Sequence, residues 1–150
     1  MELTFRKAEN EDAERIFQFN KELILQYETL EEINLDYVLS WVQKKISSRI
    51  DKYTVICAEG RKAGYYHFFR NEEGELELDD LYIFPEFRNQ GIGSVVIKKC
   101  CTSVKEPVML YVFTRNKGAV SLYRRMGFLV TETIKDSRLI MKRTHDLTEA

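Results

Sequence analysis

Leu81-Tyr82-Ile83-Phe84-Pro85-Glu86-Phe87-Arg88-Asn89-Gln90-Gly91-Ile92-Gly93-Ser94 is the stretch on which the fold turns. Leu81 to Phe84 is apolar and rich in strand formers, and Pro85 removes a backbone donor and ends the strand. Gly91 to Cys101 has helical spacing, with Ile92, Val95, Val96 and Lys99 on related faces. The stretch therefore reads strand, short loop, helix. A helix N-terminus presents N–H groups that lack helical partners and carries partial positive charge, so it can hold phosphate. Gly91 and Gly93 let the backbone approach an anion closely, because no Cβ intervenes. Arg88 adds a fixed positive charge. Two other phosphate loops fit less well. No G-x-x-x-x-G-K-[ST] string occurs, and a dinucleotide fingerprint needs Gly or Ala where Val96 stands.

Upstream, the strand from Leu76 to Phe84 carries Glu77, Asp79 and Asp80, with Glu75 just before it. Its apolar parity changes. Leu76 and Leu78 are even-numbered, whereas Leu81 and Ile83 are odd, so strict alternation cannot put all of them on one face. A bulge near Asp79-Asp80 repairs the phase. The alternative is a strand buried on both faces beyond Asp80, since Tyr82 and Phe84 are also apolar. Further upstream, Tyr53–Glu59 and Ala63–Phe69 read as a hairpin around a Gly60-Arg61-Lys62 turn, and Asn71–Gly74 reads as the next turn. Leu3 to Ala8 alternates as a first strand. Asn10 to Asp12 can cap a helix whose stripe is Ile16, Phe19, Leu23 and Tyr27. Asn34-Leu35-Asp36 starts a second helix with Val38, Val42 and Ile46 inward and Trp41 packed along its edge.

Downstream, Val108–Phe113 is an apolar strand and Asn116–Met126 a helix stopped at Gly127 by a left-handed cap. Phe128–Glu132 and Ser137–Lys142 read as the last strands, and the chain after Arg143, including His145, reads as a polar tail. The order is β-α-α-β-β-β-α-β-α-β-β. The central hairpins exclude a uniform doubly wound sheet. The expected fold class is α+β, in an α/β three-layer arrangement. Its mixed, mostly antiparallel sheet of about seven strands is flanked by about four helices, in one domain over residues 1–150.

Arg88, Gly91 and Gly93 match [QR]-x-x-G-x-[GA], the signature of the GNAT superfamily of acyl-CoA-dependent N-acyltransferases, which this sequence resembles. A second stretch, Leu110 to Phe128, resembles that superfamily's later segment, strand-x-x-N-x-x-A-x-x-x-Y-x-x-x-G-F, through Asn116, Ala119, Tyr123, Gly127 and Phe128. The resemblance implies that acetyl-CoA lies beside Leu81, Tyr82 and Ile83. Its pyrophosphate would rest on the loop formed by Arg88, Asn89, Gln90, Gly91, Ile92, Gly93 and Ser94. Asn116 and Ala119 would follow the pantetheine arm, and Tyr123 would stand near the sulfur as the acid that protonates the leaving thiolate. The resemblance also implies a bulge on the acidic strand that frees a backbone N–H for the thioester oxygen. The resemblance further implies Glu77 as a candidate general base, since several members of the superfamily place one there, with Asp79, Asp80 and water also open.

Amide formation from a thioester requires loss of an amine proton, stabilisation of the carbonyl oxygen and departure of the thiolate. The catalytic candidates are therefore Tyr123, Glu77 and Asp80. His67, between Tyr66 and Phe68, reads as structural, and Cys57 as a core residue. Adjacent Cys100 and Cys101 do not make a zinc ligand set, and no metal is expected. Net charge is −1, which gives no global argument for nucleic acid, and no stretch approaches a membrane span. Three cysteines and no secretion signal point to reduced thiols in the cytoplasm. The expected partner is a small cationic amine, attracted by the acidic strand, with Tyr27, Tyr37, Tyr65 and Tyr66 as candidate aromatic walls; the oligomeric expectation is monomer or homodimer. Two other readings are acetylation of a protein N-terminus or lysine, and a CoA-binding regulatory module without turnover.

Overall fold

The computed structural model describes residues 1–144, so His145 and the chain beyond it lie outside the described residues. In chain order the elements are β1 (Leu3–Lys7), α1 (Ala13–Tyr27), α2 (Leu35–Arg49), β2 (Thr54–Ala58), β3 (Arg61–Arg70) and β4 (Leu76–Ile83). They continue with α3 (Ile92–Thr102), β5 (Val108–Phe113), α4 (Lys117–Arg125), β6 (Leu129–Ile134) and β7 (Arg138–Arg143). The seven strands form one sheet in the order β1-β2-β3-β4-β5-β7-β6. The β4–β5 pairing is parallel, while β1–β2, β2–β3, β5–β7 and β6–β7 are antiparallel. The fold class and element order expected from the sequence are therefore those observed. Close contacts group the described residues into two compact units: Met1–His67 with Asp80–Arg88, and Phe68–Asp79 with the described residues from Asn89 on.

In the first unit, Asp12 folds back on the chain before α1. Its carboxylate accepts from the Glu9 amide at 2.8 Å, closing the turn that launches the helix. Lys62 on β3 reaches the same carboxylate at 2.9 Å and Glu11 at 3.2 Å. Asp12 is 1% exposed, and a carboxylate that deep requires such partners. The α1 stripe is buried at Ile16, Phe19 and Ile24, with Leu23 and Tyr27 only half-buried, because the helix turns its Ile24 edge inward. Phe19 stacks on Tyr82 at 4.1 Å between centroids and ties α1 to the end of β4. Asn34 caps α2 by accepting from the Tyr37 amide at 3.1 Å. Val42 and Ile46 are buried as expected, but Trp41 is 56% exposed, with Lys45 5.8 Å from its ring centroid. The β2–β3 turn lies one residue earlier than expected. Glu59 (φ 51°) and Gly60 (φ 78°) form it, and Arg61 already pairs with Ala58. Two left-handed residues match the strand twist, which is why a two-residue loop suffices. Cys57 is half-buried, following a register shift after Ile56 that rotates the end of β2.

In the second unit, the Asn71–Gly74 turn is held by the Asn71 side chain, which accepts from the amides of Glu73 and Glu75 at 3.1 and 2.9 Å. The buried face of α3 is Ile92, Val96, Ile97, Cys100 and Cys101; Val95 faces out at 50% exposure. Val108, Leu110 and Val112 of β5 are buried, and β5 pairs with β7 from Val108↔Arg143 to Phe113↔Arg138. Gly127 takes φ 94° and ends α4 as a left-handed cap, after which Phe128 is fully buried.

Candidate active site

The loop between β4 and α3 has an alternating backbone. Asn89 (φ 62°) and Gly91 (φ 79°) are both left-handed, and Gly91 is the N-cap of α3. The first bond of the helix runs from the Val95 amide to the Gly91 carbonyl at 3.1 Å. The amides of Ile92, Gly93 and Ser94 precede it, so they lack acceptors within the helix. A Cβ built on Gly91 would meet no atom within 4 Å, and one on Gly93 would meet only Leu122, at 3.6 Å. These glycines are thus not required by packing. Gly91 is required by its φ, and the space above both is open. That combination suits a pyrophosphate. Arg88 does more than supply charge. Its Nε donates to the Ile83 carbonyl at 2.9 Å and its guanidinium lies 5.4 Å from the Tyr82 centroid, so it fastens the loop to its strand.

The bend expected in the acidic strand sits at Asp80, whose φ is +52°. Leu76, Glu77 and Leu78 are consecutively buried before it, whereas Asp80, Leu81, Tyr82 and Ile83 are half-buried after it. The two-sided burial beyond Asp80 that was the alternative is not seen. Two residues that the sequence did not single out shape this bend. Gly64 on β3 lies so near that an added Cβ would stand 2.0 Å from the Tyr82 carbonyl oxygen. Tyr53 donates its hydroxyl to Asp80 Oδ2 at 2.6 Å. His67 stacks on Tyr53 with centroids 4.5 Å apart, which agrees with a structural role for that histidine.

The second unit holds Glu77, Asn116, Ala119 and Tyr123. Glu77 pairs in register with Met109, is 8% exposed, and accepts from Asn71 Nδ2 at 3.2 Å. A solvated acidic edge is therefore the wrong description of Glu77; its carboxylate is inside the fold. Tyr111, two residues beyond Met109 on β5, has its phenol pushed up by burial and then by the charges of Glu77, Glu73 and Glu75. No sequence motif marks Tyr111; only the β4–β5 register places it near Glu77. Asn116 caps α4, accepting from the Ala119 amide at 3.3 Å. No residue of α4 is fully buried, and Ala119, Leu122 and Tyr123 are half-buried. Tyr123 packs edge-on against Phe128, with centroids 5.7 Å apart.

Of the tyrosines expected to wall an acceptor cleft, Tyr65 and Tyr66 are buried in the core of the first unit and Tyr37 is 69% exposed. Burial, more than the Asp12 charge, pushes the Tyr65 phenol up to about 12. Tyr65 lines a pocket of about 330 Å³ in that unit, with Arg15, Arg61 and Phe87. None of the three catalytic candidates lines it. Among the described residues no cluster of metal-ligating side chains occurs, and no helix is long and apolar enough to cross a membrane.

The sequence profile of the Acetyltransferase (GNAT) family matches residues 8–128. An uncharacterized N-acetyltransferase of Methanocaldococcus jannaschii is 35% identical over 114 residues, covering 69% of this chain and 50% of the relative. A thialysine N-epsilon-acetyltransferase of Bos taurus is 33% identical over 75 residues, covering 47% of this chain and 44% of the relative. The chain thus spans about half the length of these curated relatives. Among solved structures, the PaiA N-acetyltransferase of Thermoplasma acidophilum in complex with coenzyme A superposes with a TM-score of 0.68 at 22% identity, covering 96% of this chain and 99% of that one. An N-acetyltransferase of Staphylococcus aureus Mu50 gives 0.71 at 16% identity, covering 93% and 99%. With the Arg88–Ser94 loop, the bend at Asp80 and the capped α4 all falling within the span the profile matches, the chain belongs to the GNAT family of acetyltransferases.

Proposed function

We propose that this chain transfers an acetyl group from acetyl-CoA to the primary amine of a small cationic molecule. The observation that carries the reading is the loop Arg88–Ser94. Its left-handed Asn89 and Gly91 gather helix-start amides under open space. Acetyl-CoA supplies the activated acyl group as a thioester, and the amides of Ile92, Gly93 and Ser94 would hold its pyrophosphate. Asn116 fixes the start of α4, and the small side chain of Ala119 would leave room for the pantetheine arm.

The chain's own groups then divide the work of transfer. The amine nitrogen attacks the thioester carbonyl carbon, the C–S bond breaks, and an amide forms. The amine's proton passes to a carboxylate of β4, Glu77 or Asp80, directly or through water. The Tyr123 hydroxyl protonates the departing sulfur; between a free tyrosine and a free thiol such a transfer costs only about 2 kcal/mol. A backbone N–H freed by the bend at Asp80 would stabilise the charge that develops on the carbonyl oxygen. A positive acceptor is favoured by Glu73, Glu75 and Glu77, whose charges together disfavour ionisation of Tyr111. The similarity to thialysine N-epsilon-acetyltransferases of Bos taurus and Sus scrofa, at 33% and 38% identity over 75 and 68 residues, supports an amine on a small molecule.

The test is release of free thiol from acetyl-CoA against a panel of amines that includes thialysine, polyamines, neutral amines and peptides bearing lysine or a free N-terminus. Turnover confined to small cationic amines is the expected result. Turnover with peptides alone moves the acceptor class to proteins, and tight CoA binding with no turnover across the panel leaves a binding module.

A further inference from the structure

We propose that Tyr53 is a positioning residue for the transfer step: it holds the β4 bend in its working shape through the carboxylate of Asp80. The proposal rests on the acetyl-transfer reading for its kinetic consequence, and on geometry alone for its structural one. Asp80 is a non-glycine residue with φ +52° inside a strand, a conformation that needs outside support. One support is a short hydrogen bond, 2.6 Å, from the Tyr53 hydroxyl to Asp80 Oδ2.

Tyr53 is built to be rigid. It is 1% exposed at the entrance to β2. Its amide donates to the Ile50 carbonyl at 3.2 Å, and its carbonyl accepts from the Ala8 amide at 2.9 Å. Its ring lies nearly parallel to His67, 20° between planes at 4.5 Å. A donor so held fixes the carboxylate it bonds, and the carboxylate fixes the backbone that carries it. From the other side, Gly64 admits the Tyr82 carbonyl where any Cβ would clash. The bend at Asp80–Tyr82 is therefore supported from both sides, Tyr53 giving a bond and Gly64 giving space. The amide of Leu81, the next along, takes its direction from this bend. A tyrosine acting this way contributes to catalysis without touching substrate.

The experiment compares the parent with Tyr53→Phe, Asp80→Ala and the double variant; alanine is used because an asparagine oxygen would still accept from Tyr53. Without any substrate, ¹⁵N spectra and amide hydrogen exchange report the bend. In Tyr53→Phe the amides of Asp80 to Ile83 should shift and exchange about tenfold faster, while those of β5 and β7 stay put. Unchanged Asp80–Ile83 amides would overturn the proposal whether or not the chain turns over. With a working acceptor, Tyr53→Phe should lower kcat by roughly 10- to 100-fold with KM for acetyl-CoA within about twofold, the pattern of lost transition-state alignment. The double variant should be no slower than the slower single, because both remove one device. A full parental kcat in Tyr53→Phe, or effects that simply multiply, would also overturn it. A parent that binds CoA but never turns over instead defeats the functional reading, and leaves the amide comparison to decide the role of Tyr53.

Discussion

The two loop glycines are needed for different physical reasons, and this makes them separable by substitution. Gly91 has φ +79°, so any side chain there is strained even though the space is empty. Gly91→Ala should cost about 1 kcal/mol of stability. Gly93 sits in the first turn of α3 with only Leu122 nearby, so Gly93→Val should leave the fold intact and weaken CoA binding by filling the space above the amides. Calorimetric titration with CoA beside thermal melts separates the two effects. A Gly93→Val protein that melts like the parent and binds CoA as tightly would remove this loop from the site. Tyr123 offers a similar separation. Its ring packs on Phe128, and Phe at 123 preserves that packing. Tyr123→Phe should therefore keep CoA affinity and slow turnover by about 10²- to 10⁴-fold, the usual span for an acid–base group. An unchanged rate, measured where chemistry limits, would exclude Tyr123 as the acid.

At the scale of elements, β3 and β4 depend on close backbone approach at Gly64, where a Cβ would stand 2.0 Å from the Tyr82 carbonyl oxygen. Neither partner is a flexible side-chain end, so relief requires moving a strand. Gly64→Ala should cost about 3 kcal/mol, at the upper end for overpacking, readable as a lower urea midpoint with unchanged slope. The start of α1 depends on the Asp12–Lys62 pair. Burial raises the Asp12 pKa, but the Glu9 amide and Lys62 outweigh it and hold it below its ordinary 3.8. The stabilisation is therefore full above pH about 3.8 and fades as pH falls through the lower folded value. Lys62 is raised above its ordinary 10.5, chiefly by its bond to Asp12, so its share is full below about 10.5 and fades as pH climbs past that. Because Lys62 is partly exposed, Asp12→Asn should cost only about 1–2 kcal/mol. That loss should be present at pH 7 and vanish at the lowest pH where the parent stays folded. These elements also show what the sequence could say. The loop, its helix, the bend and the Asn116 cap were legible because Pro, Gly, Asn and a parity change act locally. Gly64, Tyr53 and Tyr111 were not, because each acts on a partner that only strand register supplies. Trp41 was misread because a helical pattern ranks faces by apolarity, and the exposed side of α2 carries an aromatic.

For the whole molecule, net charge is −1, so its overall field neither draws nor repels an acceptor strongly. Any preference for a charged amine must come from local groups. The carboxylates of Glu73, Glu75 and Glu77 lie near enough to Tyr111 to oppose its ionisation. Lys142, 2.6 Å from Glu75, offsets one of them, which leaves Glu73 and the buried Glu77 as the main attraction. Such short-range attraction is screened by salt over about 10 Å at 0.1 M ionic strength. The ratio of kcat/KM for a cationic over a neutral acceptor should therefore fall as salt rises, while kcat at saturation changes little. Glu77→Gln distinguishes attraction from proton transfer. If Glu77 only attracts, the variant raises KM for cationic acceptors and keeps the shape of the pH–rate profile. If Glu77 also takes the amine's proton, kcat falls and the acidic limb of kcat/KM flattens, because an amide cannot accept that proton. Asp80→Asn provides the parallel comparison at the bend itself. A profile and rate unchanged in both variants would assign proton removal to water. A best acceptor that is neutral or anionic would refute the cationic preference and leave family membership untouched.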